Sequence, residues 1–187
     1  METSRNQRWV LALTSVAALM VSLDIQVVTT ALPVIRTHLH ASLAGLEWTV
    51  NAYTLSFAVL LLTGAALGER LGRRQMLVAG VALFTVASAA CALSPDVSAL
   101  TAARAVQGAG AALMLPLAFA LLSAAFPPER RAWAIGIFSS VAGLAVLAGP
   151  VLGGAVTQGI AWQWIFWLNM PIGAVLIPLI LARIPAD

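Results

Sequence analysis

Two charged side chains stand inside long apolar runs of this sequence, where an ionised group is costly unless it is paired or reached by water. Asp24 is the one ionisable residue between positions 10 and 33, and Arg104 interrupts the apolar run that begins near Val97. Charged groups in such surroundings are by default candidates for a functional site. The alternative is a structural ion pair that only fixes the contact between two helices.

The composition indicates that membrane-spanning helices must position these charges. Of the 187 residues, 61% are hydrophobic and 9% are charged, and the mean hydropathy is +0.96. Soluble domains carry about 25% charged residues, and a helix needs about 20 apolar residues to cross a bilayer. We therefore predict an all-α membrane protein whose single transmembrane domain comprises residues 1–187. Its six predicted spans cover about residues 10–32, 48–68, 76–93, 97–126, 132–157 and 165–182.

The basic residues, which are ten arginines and no lysine, predict the orientation of the spans. Eight of them precede the first span, lie between the second and third or the fourth and fifth, or follow the sixth; Arg36 lies on the opposite side. Positive charge marks the cytoplasmic face, so both termini are predicted to be cytoplasmic. The arginines form small clusters between apolar runs, which argues against a nucleic-acid-binding face. The eight are Arg5, Arg8, Arg70, Arg73, Arg74, Arg130, Arg131 and Arg183.

Asp24 and Arg104 are predicted to lie at matching depth. The first span runs outward and ends near Leu32, whereas the fourth runs inward from about Val97. At a rise of about 1.5 Å per residue, both charges lie roughly 10–12 Å below the outer surface. Both are then in the outer half of the membrane, where they can pair.

A stripe of polar residues lies on the face of the first span opposite Asp24. At about 100° per residue, Ser15, Ser22, Gln26 and Thr29 form this stripe, about 180° from Asp24. A helix with polar groups on opposite faces cannot offer either face to lipid, so one face is expected to meet the fourth span and the other a cavity. The candidate cavity residues are Ser22, Gln26, Thr29 and Gln107.

The fifth span carries small residues at helical spacing. Gly136 and Gly154 belong to one face of mostly small residues, and Gly149 and Gly153 form a Gly-x-x-x-Gly pair beside it. Small residues of this kind let two helices approach closely within a membrane. Pro150 lacks a backbone N–H and is expected to kink the helix in its outer half.

The remaining residues give no sign of catalysis or of a bound cofactor. His38 and His40 stand two apart with no further ligand near them in the sequence, so no metal site is predicted. The sequence shows no nucleophile beside a base and no phosphate-binding loop. We therefore expect a protein that is not an enzyme and that needs no cofactor.

Several motifs together resemble those of the major facilitator superfamily. "ALGERLGRR" (66–74), "RAVQGAGAA" (104–112) and "GPVLGG" (149–154) resemble its signatures for the helix 2–3 loop, for helix 4 and, in antiporters, for helix 5. "LDIQVVTTALP" (23–33) and "WQWIFWLNMPIG" (162–173) are similar to motifs of its fourteen-helix drug–proton antiporters. Five motifs in the family's order make the resemblance specific, and it covers essentially the whole chain.

The resemblance implies a role for each position that matches a motif. In the family, the acid and arginines of the helix 2–3 loop hold the cytoplasmic sides of two domains together; Glu69 stands here in place of the usual aspartate. The helix 4 arginine, here Arg104, is implicated in proton coupling, and Asp24 would bind the proton. The glycine–proline face of helix 5 seals the closed state against the other domain. The implied latch residues are Glu69, Arg70, Gly72, Arg73, Arg74 and Glu129, and the helix 5 packing residues are Gly136, Gly149, Pro150, Gly153 and Gly154.

Transporters of this family consist of two six-helix domains that rock around a site at the membrane midplane. This sequence resembles the amino-terminal domain alone, which in the family consists of two inverted three-helix repeats. We expect half of a plasma-membrane exporter whose partners are the lipid bilayer, protons, a small hydrophobic or cationic drug-like substrate and a carboxy-terminal domain. Three alternatives stay open for the chain itself: a fragment, a half that pairs with itself or a separate half, or a non-transporting assembly partner.

Overall fold

The computed structural model of the protein describes residues 2–185, and within that range the side chains of residues 5–157 and 159–185. Six helices in the described range are long and apolar enough to cross a membrane. The sixth of these spans, Trp164–Arg183, is broken into two helices at Leu168. The prediction of an all-helical chain with six membrane-length helices is thus confirmed. The elements are α1 (Glu2–His38), α2 (Leu43–Leu71), α3 (Arg73–Ala92), α4 (Val97–Ala125), α5 (Pro128–Gly159), α6 (Trp164–Trp167) and α7 (Asn169–Arg183).

Local sequence signals set the starts of α2, α3 and α4. Ser42 Oγ accepts a hydrogen bond from the backbone N–H of Gly45, and Asp96 Oδ1 accepts one from that of Ala99, so each side chain satisfies an orphan donor of the first turn. Between α2 and α3 the chain turns at Gly72, whose φ of 96° is accessible to glycine but strained for other residues. All three connections are short, so the chain reverses direction between consecutive helices.

The break in the sixth span has a chemical cause. Pro171 lacks an N–H, so the carbonyl of Trp167, four residues earlier, cannot be paired in the helical manner. The helix accordingly stops at Trp167 and resumes at Asn169. The break leaves backbone carbonyl groups in the protein interior, where side chains of other helices can bind them.

Glycines in α4 set its place between two neighbours. A methyl group on Gly108 would overlap the backbone oxygen of Tyr53 on α2, and one on Gly110 would lie 2.7 Å from the backbone nitrogen of Phe84 on α3. Because both positions lack a side chain, α2 and α3 pack closely against α4 from different sides. The helix 4 motif therefore brings three helices together within two turns of Arg104.

Two Gly-x-x-x-Gly pairs have corresponding positions in the bundle. Gly149 and Gly153 on α5 contact α1, as the sequence predicts for close helix approach. Gly64 and Gly68 on α2 contact α4 in the same way, and the sequence analysis did not single them out. Helices α1 and α4 also contact each other. In addition, α1 contacts α7, and α4 contacts α3. The glycine contact of α2 with α4 thus has a counterpart in that of α5 with α1.

Both ends of the described chain lie at the same end of the bundle, called here the termini end. The Arg183 guanidinium lies 4.9 Å from the centre of the Trp9 ring. Arg74, in the turn between α2 and α3, donates to the carbonyl that follows α7 at 3.1 Å. Gln7 donates to the carbonyl of Ala125 at the end of α4, at 2.9 Å. The connections α2–α3 and α4–α5 therefore share this end with the termini.

Helices α2 and α5 present a largely exposed apolar face. Leu62 on α2 is 81% exposed, and Leu147 on α5 is 74% exposed. On α5, a methyl group at Gly136, Gly143 or Gly154 would meet no atom within 4 Å. The second face of α5 is therefore open, in contrast to the face of Gly149 and Gly153 that packs on α1.

Candidate functional site

Asp24 on α1 and Arg104 on α4 form a buried ion pair. Asp24 is 3% exposed and Arg104 is 2% exposed, and Nη1 of Arg104 lies 2.5 Å from Oδ2 of Asp24. The structure thus joins the two side chains whose depths the sequence predicted to match. Removing one partner of such a pair costs about 3–5 kcal/mol because the other charge is left buried and uncompensated.

Gln107 completes a ring of three hydrogen bonds with this pair. It lies one turn after Arg104 on α4 and is fully buried. Its Nε2 donates to Oδ1 of Asp24 at 2.8 Å, and its Oε1 accepts from Arg104 at 2.7 Å. Cys91 on α3 also contacts this oxygen, with Sγ at 3.5 Å. The predicted cavity residue Gln107 is therefore placed with the ion pair, where it orients both partners.

Asn169 and Ser88 extend the network to α6 and α7 and add a second contact with α3. Asn169, the first residue of α7, donates through Nδ2 to Oδ1 of Asp24 at 3.1 Å and to Oγ of Ser88 at 2.9 Å. The Ser88 hydroxyl on α3 donates to the backbone carbonyl of Phe166 in α6 at 2.9 Å. Neither residue was a predicted site residue. The signal available for Asn169 was its position beside Pro171, where a helix break needs polar side chains.

Tyr53 on α2 covers the remaining side of Arg104. The guanidinium carbon of Arg104 lies 4.1 Å from the centre of the Tyr53 ring, which is the geometry of a cation–π contact. Tyr53 is 2% exposed, and its hydroxyl has no hydrogen-bond partner among the described residues. The sequence analysis missed this residue, since one aromatic residue among many apolar ones carries no spacing signal.

Every group that touches the carboxylate of Asp24 is a hydrogen-bond donor. Oδ2 accepts from Arg104, and Oδ1 accepts from Gln107 and Asn169. Donors stabilise the ionised form of a carboxylate, and a proton added to either oxygen faces N–H groups instead of an acceptor. Among the described residues, the site therefore offers no acceptor to a proton on either oxygen unless a neighbour rearranges.

The polar stripe on the opposite face of α1 is divided between α5 and the open side. Gln26 lies against Gly149, where the α1–α5 contact is closest. Ser22 is partly buried, and Thr29 is exposed, with its hydroxyl bonded to the carbonyl of Ile25 at 2.7 Å. The Asp24 face of α1 thus meets α4, and cavity lining by Ser22, Gln26 and Thr29 stays a prediction.

The predicted latch residues lie around the turn between α2 and α3, at the termini end. Glu69 and Arg70 are exposed at the end of α2, and Glu69, Gly72 and Arg73 line a shallow pocket of about 380 Å³. Arg74 instead binds the chain just after α7, as described above. One arginine of the motif therefore holds the sixth span inside this bundle, and Glu69 and Arg70 remain at the surface.

Glu129 lies at the start of α5, in a different pocket. It shares this pocket of about 470 Å³ with Arg8 and Arg130. The structure does not bring Glu129 into the pocket of Glu69. Its assignment to the latch stays a prediction.

Comparison with known proteins identifies the family of this arrangement. The profile of the Major Facilitator Superfamily matches residues 14–187. The chain belongs to the major facilitator superfamily. Its members are transporters rather than enzymes, and the chain with its six membrane-spanning helices is a multi-pass protein of the plasma membrane.

The relatives of the chain include export and drug-resistance proteins. It is 44% identical over 170 residues to the tetracenomycin C resistance and export protein of Streptomyces glaucescens, which covers 90% of this chain and 32% of the relative. It is 39% identical over 182 residues to the multidrug resistance protein Stp of Mycobacterium tuberculosis, covering 97% of this chain and 34% of the relative. The chain thus spans about a third of the length of these curated relatives.

A solved structure shows the same fold at low sequence identity. The proton:xylose symporter XylE of the same superfamily superposes with a TM-score of 0.87 at 14% identity. The match covers 98% of this chain and 46% of the symporter. The described bundle therefore corresponds in fold to half of a transporter of the major facilitator superfamily.

Proposed function

We propose that this chain is the amino-terminal half of a transporter that exports drug-like, hydrophobic or cationic compounds in exchange for protons. The carrying observation is the carboxyl group of Asp24, buried among side chains of five spans and bound by donors alone. The named activities of the relatives, drug resistance and export, support the substrate class. The open face of α2 and α5 supports the need for a second half.

The proposed orientation places the termini end in the cytoplasm. The structure groups the termini with the connections that carry Arg70, Arg73, Arg74, Arg130 and Arg131, and positive charge favours the cytoplasmic side. The repeated Gly-x-x-x-Gly contacts of α2 and α5 support two inverted three-helix repeats. In this orientation Asp24 lies in the outer half of the membrane, as the sequence predicts.

Proton binding would act by removing the counterion of Arg104. When Asp24 is neutral, the Coulomb attraction between α1 and α4 is lost in surroundings that screen charge poorly. The guanidinium then keeps Gln107 and the Tyr53 ring as neighbours, both on the α2–α4 side of the site. The contact between α1 and α4 is therefore the one that proton binding weakens.

The experiment is to measure efflux of ethidium, a hydrophobic cation, from proteoliposomes that contain the transporter of which this chain is part. Asp24→Asn should insert normally and lose efflux driven by an imposed pH gradient, because residue 24 can no longer exchange a proton. The matched control is Glu47→Gln, which neutralises an exposed carboxylate near the start of α2. Efflux at the wild-type rate in Asp24→Asn would sink the proposal.

A further inference from the structure

Asn169 connects the carboxylate of Asp24 to α3. The residue is 4% exposed and begins α7 directly after the break at Leu168. Its single amide nitrogen donates to Oδ1 of Asp24 at 3.1 Å and to Oγ of Ser88 at 2.9 Å. Since an amide nitrogen has two protons, both are used, one toward each oxygen.

Ser88 carries this chain of hydrogen bonds on to the broken sixth span. Its oxygen accepts from Asn169, and its one proton goes to the backbone carbonyl of Phe166 at 2.9 Å. A hydroxyl has only one proton to donate, so it can serve this carbonyl only while its other neighbour is a donor. The hydrogen bond from Ser88 on α3 to the Phe166 carbonyl therefore forms only while the amide nitrogen of Asn169 faces the Ser88 oxygen.

A proton on Asp24 changes the group that Asn169 faces from a hydrogen-bond acceptor to a donor. The protonated oxygen becomes a donor and needs an acceptor. Arg104 has no acceptor atom, and the Oε1 atom of Gln107 already accepts from Arg104. Asn169 can supply an acceptor at the same place, because a half-turn of its terminal amide exchanges nitrogen and oxygen.

We propose that Asn169 is a positioning residue whose amide turns over when Asp24 takes up a proton, and that this turn releases the Phe166 carbonyl. With its oxygen in the place of its nitrogen, Asn169 accepts from the carboxyl of Asp24 and from the hydroxyl of Ser88. The hydroxyl proton must then leave the Phe166 carbonyl. Three hydrogen bonds are replaced by two, no covalent bond other than the new O–H of Asp24 is made or broken, and the bond lost is the one between α3 and α6.

The other titratable groups around Asp24 do not link it to the sixth span. Arg104 faces it from α4, Tyr53 lies on α2 over the guanidinium, and Cys91 on α3 contacts Gln107. In the described residues, α5, α6 and α7 place no titratable side chain in this network. The inference rests on the proposed proton binding by Asp24, and it adds the route by which that event reaches the sixth span.

The experiment observes the Phe166 carbonyl directly by solid-state NMR of the protein in lipid bilayers. Phe166–Trp167 is the one Phe–Trp pair in these 187 residues, so labelling with ¹³C′-phenylalanine and ¹⁵N-tryptophan selects its carbonyl. Trp167→Phe removes the signal and assigns it. We expect the ¹³C′ resonance to move upfield as the carboxyl of Asp24, followed through ¹³Cγ-aspartate, becomes protonated on lowering the pH.

Variants separate the chain of bonds from a general effect of pH. Asp24→Asn and Ser88→Ala should hold the resonance at its low-pH position at every pH, and Ser88→Thr should restore the response. The control Ser94→Ala removes a hydroxyl just after α3, one bonded to the carbonyl of Ala90, and should respond as the wild type does. A Phe166 resonance that stays still while Asp24 titrates overturns the inference and leaves the proposed function intact. A carboxyl of Asp24 that does not titrate overturns both.

Discussion

Arg104 carries a permanent charge in the interior, and three side chains stabilise it there. Asp24 supplies the opposite charge, Gln107 an acceptor oxygen, and Tyr53 the face of its ring. Only the first of these changes with protonation of Asp24. Gln107 and Tyr53 therefore determine the free-energy cost of burying the Arg104 charge while Asp24 is neutral. The Tyr53 ring provides a larger share of the stabilisation in that state.

Variants of Tyr53 separate its ring from its hydroxyl. Tyr53→Phe keeps the cation–π contact and removes a hydroxyl that has no described partner, so we expect unchanged or slightly higher stability. Tyr53→Leu removes the contact and should lower the free energy of unfolding by roughly 2 kcal/mol. Unfolding of the purified protein in mild detergent measures both. Equal destabilisation by both variants would show that the hydroxyl, and not the ring, matters.

Sequence could predict the charged members of the site and one neutral member, Gln107, but not the other neutral ones. Asp24 and Arg104 were visible because charge is rare in apolar spans and because helix geometry fixes depth. Asn169, Ser88 and Tyr53 were not, since neutral polar and aromatic side chains are common in membrane helices. Which of them faces the carboxylate depends on how the helices rotate and cross, and on the break that Pro171 causes.

At the scale of helices, glycines determine how closely neighbours approach α4 and α1. The sequence predicts a close contact at Gly149 and Gly153, and the structure shows which helix makes it, namely α1. The sequence alone does not predict this partner, because a face of small residues can pack closely against any neighbouring helix. The equivalent pair Gly64 and Gly68 on α2 was not singled out, although Gly68 lies in the motif at residues 66–74.

Alanine substitutions test this account of helix packing. Gly108→Ala would place a methyl group against the backbone of Tyr53, and a backbone cannot move aside cheaply. We expect a loss of roughly 1–3 kcal/mol in unfolding free energy. The control is Gly143→Ala on the open face of α5, where no atom lies within 4 Å and no loss is expected. Similar stability of the two variants would contradict the account.

At the scale of the whole molecule, α2 and α5 leave an apolar face that the described chain does not cover. Lipid could cover it, but the small residues at Gly136, Gly143 and Gly154 suit a closely packed helix better. The chain spans about a third of the length of its curated relatives. In the proposed transporter, the second half supplies such a helix. The face is thus expected to close against the second half during transport.

A bulky residue on this face should impair transport without impairing folding. We expect Gly143→Trp to unfold at the wild-type temperature and to slow ethidium efflux severalfold in the transporter that contains this chain. The matched control is Val86→Trp on α3, which is 67% exposed on another side of the bundle and should leave efflux unchanged. If the two variants slow efflux equally, the face of α5 has no special role.

The central claim is that Asp24 takes up a proton inside the bundle. Infrared difference spectroscopy of the protein in lipid bilayers tests it most directly, because a protonated carboxyl in apolar surroundings gives a stretching band of its own. We predict that lowering the pH produces such a band in the wild type and in Glu47→Gln but not in Asp24→Asn. A band that persists in Asp24→Asn, or that never forms in the wild type over the pH range of transport, would contradict the account.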